Sequence, residues 1–228
     1  MVNCEEHDRD NEVVESDEIW ITQFTEKSAQ QFRRQVLKKA ADSPDKPIVI
    51  YIDSYGGYVD SLATMLETMD EVPNPFITVA SGKSMSCGAV LLSHGDYRFC
   101  GQYSRVMVHE ISGFLYGNVR SLTNDAVEMV RLNVKVMDLL AKNCGFKGYQ
   151  ELKEVFKKKD ADELWMGPDD ALKFGIVDHV GMPKVIPVAA YQCAIIPPKP
   201  SRRDKKPTKK EKPNKPTGEK MSPKSKKK

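Results

Sequence analysis

Gly82-Lys83-Ser84-Met85-Ser86-Cys87-Gly88-Ala89-Val90-Leu91-Leu92 places a polar, glycine-flanked serine between two short apolar runs. The run before it, Phe76-Ile77-Thr78-Val79-Ala80, has the β-branched and aromatic content of a buried strand, while Cys87 to Leu92 is small and apolar enough for a buried helix. The stretch predicts strand, turn and helix, with Ser86 at the helix start. Unpaired backbone N–H groups and the positive end of the helix dipole gather there and favour a developing negative charge. A serine at such a position also serves commonly as an N-cap, and the two roles differ in where the hydroxyl points.

Upstream, Ile19 to Phe24 suits a strand, and Thr25 can cap a helix in which Phe32, Val36, Leu37 and Ala40 recur at helical spacing. Asp42-Ser43-Pro44-Asp45 ends that helix. Pro47-Ile48-Val49-Ile50-Tyr51-Ile52 is a continuous apolar run of strand length, as expected of a parallel strand covered on both faces. Asp53-Ser54-Tyr55-Gly56-Gly57 reads as a turn, and Val59, Leu62, Ala63, Leu66 and Met69 form one helical face. Three strand–helix alternations up to Leu92 argue for an α/β chain with crossover units on a mostly parallel sheet.

Downstream, Tyr97–Cys100 and Arg105–His109 are short strands joined by Gly101-Gln102-Tyr103-Ser104, as a hairpin or a strand jog. A loop at 113–117 leads to a long helix from about Ser121 to Asn143, with Ala126, Met129, Val130, Val136, Met137 and Leu140 on one stripe. A short helix carries Tyr149, Leu152, Val155 and Phe156. Pro168–Phe174 forms another, stopped by Gly175, and Ile176–Val180 returns as a strand.

The 228 residues, 40% of them hydrophobic, suffice for one globular domain with extensions. Residues 1–18 hold eight acidic residues and one arginine, which predicts a flexible arm. The domain is expected over 19–181, a C-terminal extension over 182–197 and a disordered basic tail over 198–228. The tail carries 14 Lys or Arg against 3 acidic residues, so the formal net charge of +3 conceals a remainder near −8. That balance argues against nucleic acid as a partner of anything but the tail. No apolar run is long enough to span a bilayer, and the acidic start is unlike a signal peptide, so the expected location is cytoplasmic with no membrane partner. Five scattered cysteines without a CxxC pair suggest free thiols and no zinc site; neither metal nor cofactor is expected.

Three features bear on chemistry in chain order: the Gly56-Gly57 turn, Ser86, and His109 at the end of an apolar strand. Acidic residues follow at Asp160, Asp162 and Glu163. Together they supply the parts that serine acyl transfer requires: nucleophile, base, orienting acid and backbone amides.

The blocks Tyr51-Ile52-Asp53-Ser54-Tyr55-Gly56-Gly57-Tyr58-Val59, Gly82–Ala89, Ser104-Arg105-Val106-Met107-Val108-His109 and Ala171-Leu172-Lys173-Phe174-Gly175-Ile176-Val177-Asp178 resemble, in order and spacing, the proteolytic subunit of the Clp protease. The resemblance covers roughly 19–181. It implies a crotonase-like fold of stacked β-β-α units, serine endopeptidase activity, a polypeptide substrate, assembly into seven-membered rings and docking to an AAA+ unfoldase. Carried over by position, it implies Ser86 as nucleophile, His109 as general base, and the amides of Gly57 and Cys87 as the oxyanion hole. Ser112, Gly113 and Phe114 fall in the segment where the family pairs with substrate as an added strand.

The chain departs from the family at Asp53, Tyr55 and Cys87, where asparagine, proline and methionine are usual. Counting back from Gly175 puts the family's third triad aspartate on Glu163, with Asp162 adjacent, and a glutamate can also orient a histidine. Two other classes fit the fold: a catalytically inactive ring subunit, and an acyl-CoA enzyme in which two amides hold a thioester enolate. The first typically loses the serine or histidine and the second needs no serine, whereas both residues are present here.

Overall fold

The computed structural model describes residues 18–184. The acidic arm, the basic tail and most of the 182–197 extension lie outside the described residues. Among the described residues no helix is long and apolar enough to cross a membrane.

Among the described residues, seven strands and six helices make an α/β arrangement on one mostly parallel sheet. β1 (Ile19–Ile21) and β2 (Ile48–Ser54) pair in parallel, and β2 pairs in parallel with β3 (Phe76–Met85). Helix α1 (Glu26–Asp42) connects the first two and α2 (Val59–Glu71) the next. Thr25 starts α1 through a reciprocal cap: the Ser28 N–H donates to Thr25 Oγ1 and the Thr25 N–H donates to Ser28 Oγ. Ala29, Phe32 and Val36 are the fully buried side of that helix. On α2 the buried face runs through Leu62, Met65, Leu66 and Met69, while Ala63 is exposed, against expectation. Met65 lies three residues after Leu62 and takes the place that the sequence suggested for Ala63.

β3 departs most from the sequence reading. The polar segment Ser81–Ser84, expected to turn, continues the strand to Met85, so that β3 has ten residues. Its first half pairs with β4 (Tyr97–Cys100) and its second half with β5 (Arg105–His109), both in parallel. Residues 101–104 therefore form a jog, not a hairpin, and β4 and β5 are successive neighbours of one long strand. Gly82, at φ +93°, lies between the two halves. The buried Ser104 hydroxyl donates to Ala80 O and accepts from Gly82 N, both at 2.9 Å, bridging the last residue paired with β4 and the glycine between the two halves. The expected turn at 53–57 is likewise shorter than predicted, because β2 runs to Ser54.

Helix α3 (Cys87–Ser93) follows β3 and is buried along its whole length. The long helix α4 (Val119–Asn143) buries only Met137, Leu140 and Ala141, while Val119, Val127, Val130 and Val134 on its outer side are exposed. Val130 was expected on the inner stripe; the buried contacts come only from the C-terminal half. Helix α5 (Tyr149–Lys159) leads to β6 (Glu163–Met166), antiparallel to β5. Helix α6 (Pro168–Phe174) ends at Gly175, φ +84°, and β7 is only His179–Val180, paired with β4. Ile176 and Val177 are buried but outside the strand, and the residues on either side of them are tied to one arginine through its side chain and its backbone carbonyl.

That arginine is Arg98. Its Nη1 donates to Asn143 O at 2.7 Å and Gly175 O at 2.9 Å, and Nε and Nη2 hold Asp178 at 3.0 and 2.5 Å. One side chain thus joins β4, the end of α4, the cap of α6 and the approach to β7. Arg98→Ala leaves two carbonyls and a carboxylate without this donor, and an expected loss of about 2–3 kcal/mol should appear in urea unfolding. The Arg98 hydrogen bond holds the Asp178 carboxyl below its ordinary range. A depressed folded-state value means the pair's stabilisation is complete above the ordinary aspartate range and is lost as pH falls through the lowered value. Acid unfolding of Arg98→Ala should lack that component.

Candidate active site

Ser86 is the hinge between β3 and α3. Its backbone sits at φ 54°, ψ −120°, a conformation that few residues other than glycine adopt. The Ser86 N–H donates to Met107 O at 2.9 Å, and its carbonyl accepts from Ala89 N at 2.9 Å, so β5 and α3 together hold the strained turn. Although Ser86 occupies the N-cap position, its side chain makes no capping bond. The hydroxyl instead lies 2.9 Å from His109 Nε2. That contact is possible because β5 pairs beside the second half of β3, with Met85 opposite Met107 and His109 two residues further along.

The glycine turn closes on the same point. A Cβ built on Gly56 would lie 2.7 Å from Ser86 Cβ and 3.2 Å from its Oγ, so only glycine allows this approach. Phe24 donates to Gly56 O at 3.3 Å and accepts from Tyr58 N at 2.9 Å, which holds the peptides on either side of Gly57. The buried Ser54 hydroxyl accepts from Gly56 N at 3.1 Å. Among the described residues the N–H groups of Gly57 and Cys87 have no acceptor. Cys87 donates its thiol to Gly57 O at 3.3 Å, linking the two residues. Burial pushes that thiol up from its usual range, which keeps it a donor.

Beside Ser86 and His109 lies a cavity of about 330 Å3. Val59 and Leu62 of α2, Val90 of α3 and Val136, Met137 and Leu140 of α4 form apolar walls, with Tyr55 and Ser112 also on the lining. A cavity of that size, with apolar walls and a few polar groups, falls in the range of small-ligand sites. A second hollow, about 340 Å3, lies against Asp70, His94 and Asp96, and no hydroxyl or thiol lines it. Among the described residues no group of three or more His, Cys, Asp or Glu could hold a metal ion.

The structure brings Ser86, His109, Gly57 and Cys87 together. The acids are placed differently. Glu163 is the direct cross-strand partner of His109 in the β5–β6 ladder, yet its carboxylate accepts from Trp165 Nε1 at 2.8 Å. Asp162 immediately precedes β6, and Asp160 is the left-handed cap of α5 at φ 47°. Among the described residues neither Glu163 nor Asp162 hydrogen-bonds His109. Ser112, Gly113 and Phe114 lie outside regular structure and are exposed, Phe114 completely. Sequence reasoning missed the role of Phe24 behind Gly57, and the contribution of α4 to the cavity, although Met137 and Leu140 had been placed on an apolar stripe. No local pattern marks either, since both depend on long-range packing.

A hydroxyl within hydrogen-bond reach of an imidazole, a strained turn that presents it, and two backbone amides nearby are the parts from which an acyl-transfer nucleophile is built. A family model described as Clp protease matches residues 5–184.

Proposed function

Since this chain belongs to the Clp protease family, we propose that it is a serine endopeptidase that cleaves polypeptides through an acyl-enzyme on Ser86. The observation that carries this reading is the 2.9 Å contact between Ser86 Oγ and His109 Nε2, made by a serine whose side chain does no capping. His109 takes the hydroxyl proton as Oγ attacks the scissile carbonyl, and returns it to the leaving amine. The N–H groups of Gly57 and Cys87 receive the oxyanion, and water on the same base then releases the acyl group. Ser112, Gly113 and Phe114 hold the substrate backbone as an added strand. Retention of the serine–histidine pair argues against both the inactive ring subunit and the acyl-CoA enzyme.

A homo-oligomeric ring fits the exposed valines of α4, whose outer stripe is better covered by a neighbouring copy than by water. Seven subunits, docking to an AAA+ unfoldase and a cytoplasmic setting remain part of this proposal. Fluorophosphonate labelling tests the chemistry, since it reports an activated serine without requiring the substrate. The label should map to Ser86; labelling elsewhere or none at all overturns the reading.

We assign Glu163 as the acid that orients His109, on the strength of its cross-strand position. Taking this role requires the carboxylate to leave Trp165. Glu163→Gln is then expected to lower peptidase turnover by one to two orders of magnitude and Asp162→Asn to have a small effect. The reverse ranking moves the role to Asp162. Two small effects leave the enzyme working as a serine–histidine dyad.

A further inference from the structure

The imidazole of His109 has a hydrogen-bond partner on one nitrogen, Ser86, and among the described residues none on the other. With Glu163 turned to Trp165, its aim in this arrangement rests on the backbone that carries it, and an orienting acid can reach it only if that backbone is already in place. That backbone leaves β5 at His109 and runs into the exposed, irregular segment 112–118, so a mobile end to the strand would be expected there. Instead, the two residues after His109 are tied down in succession. The Glu110 carboxylate accepts from the Tyr149 hydroxyl through Oε1. The Ile111 N–H donates to Asn133 Oδ1 at 2.9 Å, and Asn133 Nδ2 donates to Tyr149 Oη at 3.2 Å, closing the cluster.

The anchors themselves are well founded. Asn133 belongs to α4, and Tyr149 is the first residue of α5, 7% exposed, with its N–H donated to Asp138 Oδ1 at 3.0 Å. Burial and the neighbouring carboxylate push the Tyr149 phenol up to about 12, so it is a donor at neutral pH. None of the three side chains lines the cavity at Ser86.

We propose that Glu110, Asn133 and Tyr149 form a positioning brace that holds the exit of β5 against α4 and α5 and thereby keeps His109 aimed at Ser86. The proposal rests on the reading of Ser86 and His109 as the catalytic pair. It makes the two helices, which supply no reacting atom, a determinant of the acylation rate. Without the brace β5 still pairs with β3 and β6, so the imidazole remains near the serine but samples orientations that do not transfer the proton.

The test is the rate of Ser86 labelling by a small alkyl fluorophosphonate, with melting temperature measured alongside. Misplacement by about 1 Å can cost 10²-fold, and with the ladder intact Tyr149→Phe and Glu110→Ala should each slow labelling by about tenfold. Glu110→Gln retains an acceptor for the tyrosine and should label within about twofold of wild type. The double variant Tyr149→Phe/Glu110→Ala should be no slower than either single one, because both remove the same contact. A general packing defect would instead lower the melting temperature in step with the rate and would not be rescued by glutamine. Wild-type labelling of Tyr149→Phe, or a Glu110→Gln variant as slow as Glu110→Ala, overturns the brace while leaving the serine reading intact. A wild-type protein that does not label at Ser86 removes the serine reading, and the brace with it.

Discussion

Ser86→Ala is expected to abolish fluorophosphonate labelling and peptide hydrolysis together, and His109→Ala to slow both by roughly 10³–10⁴-fold. The argument begins with the unused hydroxyl. An N-cap serine ordinarily accepts from an amide of the first helical turn, and losing that bond costs stability. Ser86 makes no such bond, so its replacement by alanine removes chemistry without removing a cap. On the proposed reading, its contact to His109 raises the nucleophilicity of an otherwise neutral alcohol. With histidine gone, backbone amides and substrate binding still operate, which is why a residual rate is expected there. The strained backbone at Ser86 adds a second readout. A residue held at φ 54° stores strain, and both variants retain it, so their melting temperatures should stay close to wild type. Labelling that persists in Ser86→Ala would transfer the nucleophile to another residue, with Ser84 the nearest hydroxyl in the chain. Ser84 is fully buried with no hydrogen-bond partner for its oxygen among the described residues, which makes it a poor substitute.

Gly56→Ala is expected to lose activity almost as completely, by about 10²-fold or more, while costing about 1–3 kcal/mol of stability. Two separate effects act at this position. The backbone is at φ +109°, which an L-residue adopts only under strain. The added methyl would also stand 2.7 Å from Ser86 Cβ and 3.1 Å from Met85 O, so relief requires the serine or the glycine turn to move. Either movement changes the distance from Ser86 Oγ to His109 and to the Gly57 amide. Gly167→Ala provides the control, because nothing lies within 4 Å of its Cβ and its φ of −75° is ordinary. Peptide hydrolysis and urea midpoints for the two variants separate the local effect from a general one. Wild-type turnover in Gly56→Ala would mean that the glycine turn does not pack on a working nucleophile.

The reach of local reasoning differs between elements. The apolar run at 48–52, the capped helix after Thr25 and the serine at the start of α3 were legible because periodicity, capping and strand composition are properties of neighbouring residues. His109 was legible as the end of a strand for the same reason. Reading 81–84 as a turn failed because three polar residues and a glycine in a row carry no strand pattern. What makes them a strand is a second partner, β5, available only after the chain has turned at 101–104. The expected Ile176–Val180 strand is only two residues long, and the chain ahead of it is held by Arg98 through Asp178, a contact across 80 residues of sequence that no window of periodicity contains.

The amino-acid sequence by itself determined the order of strands and helices except for β6, which it did not mark, together with the α/β class and the place of Ser86 and His109 on their elements. Each of these follows from backbone propensity and hydrophobic spacing over a few residues. Only the tertiary structure decided that β3 serves two neighbours in succession, that the hydroxyl of Ser86 faces His109 and does not cap its helix, that Glu163 rests on Trp165, and that Asn133 and Tyr149 hold the residues after His109. The direction of a side chain and the identity of its partner depend on which distant segments the packed core brings within about 3 Å, the range at which a hydrogen bond forms.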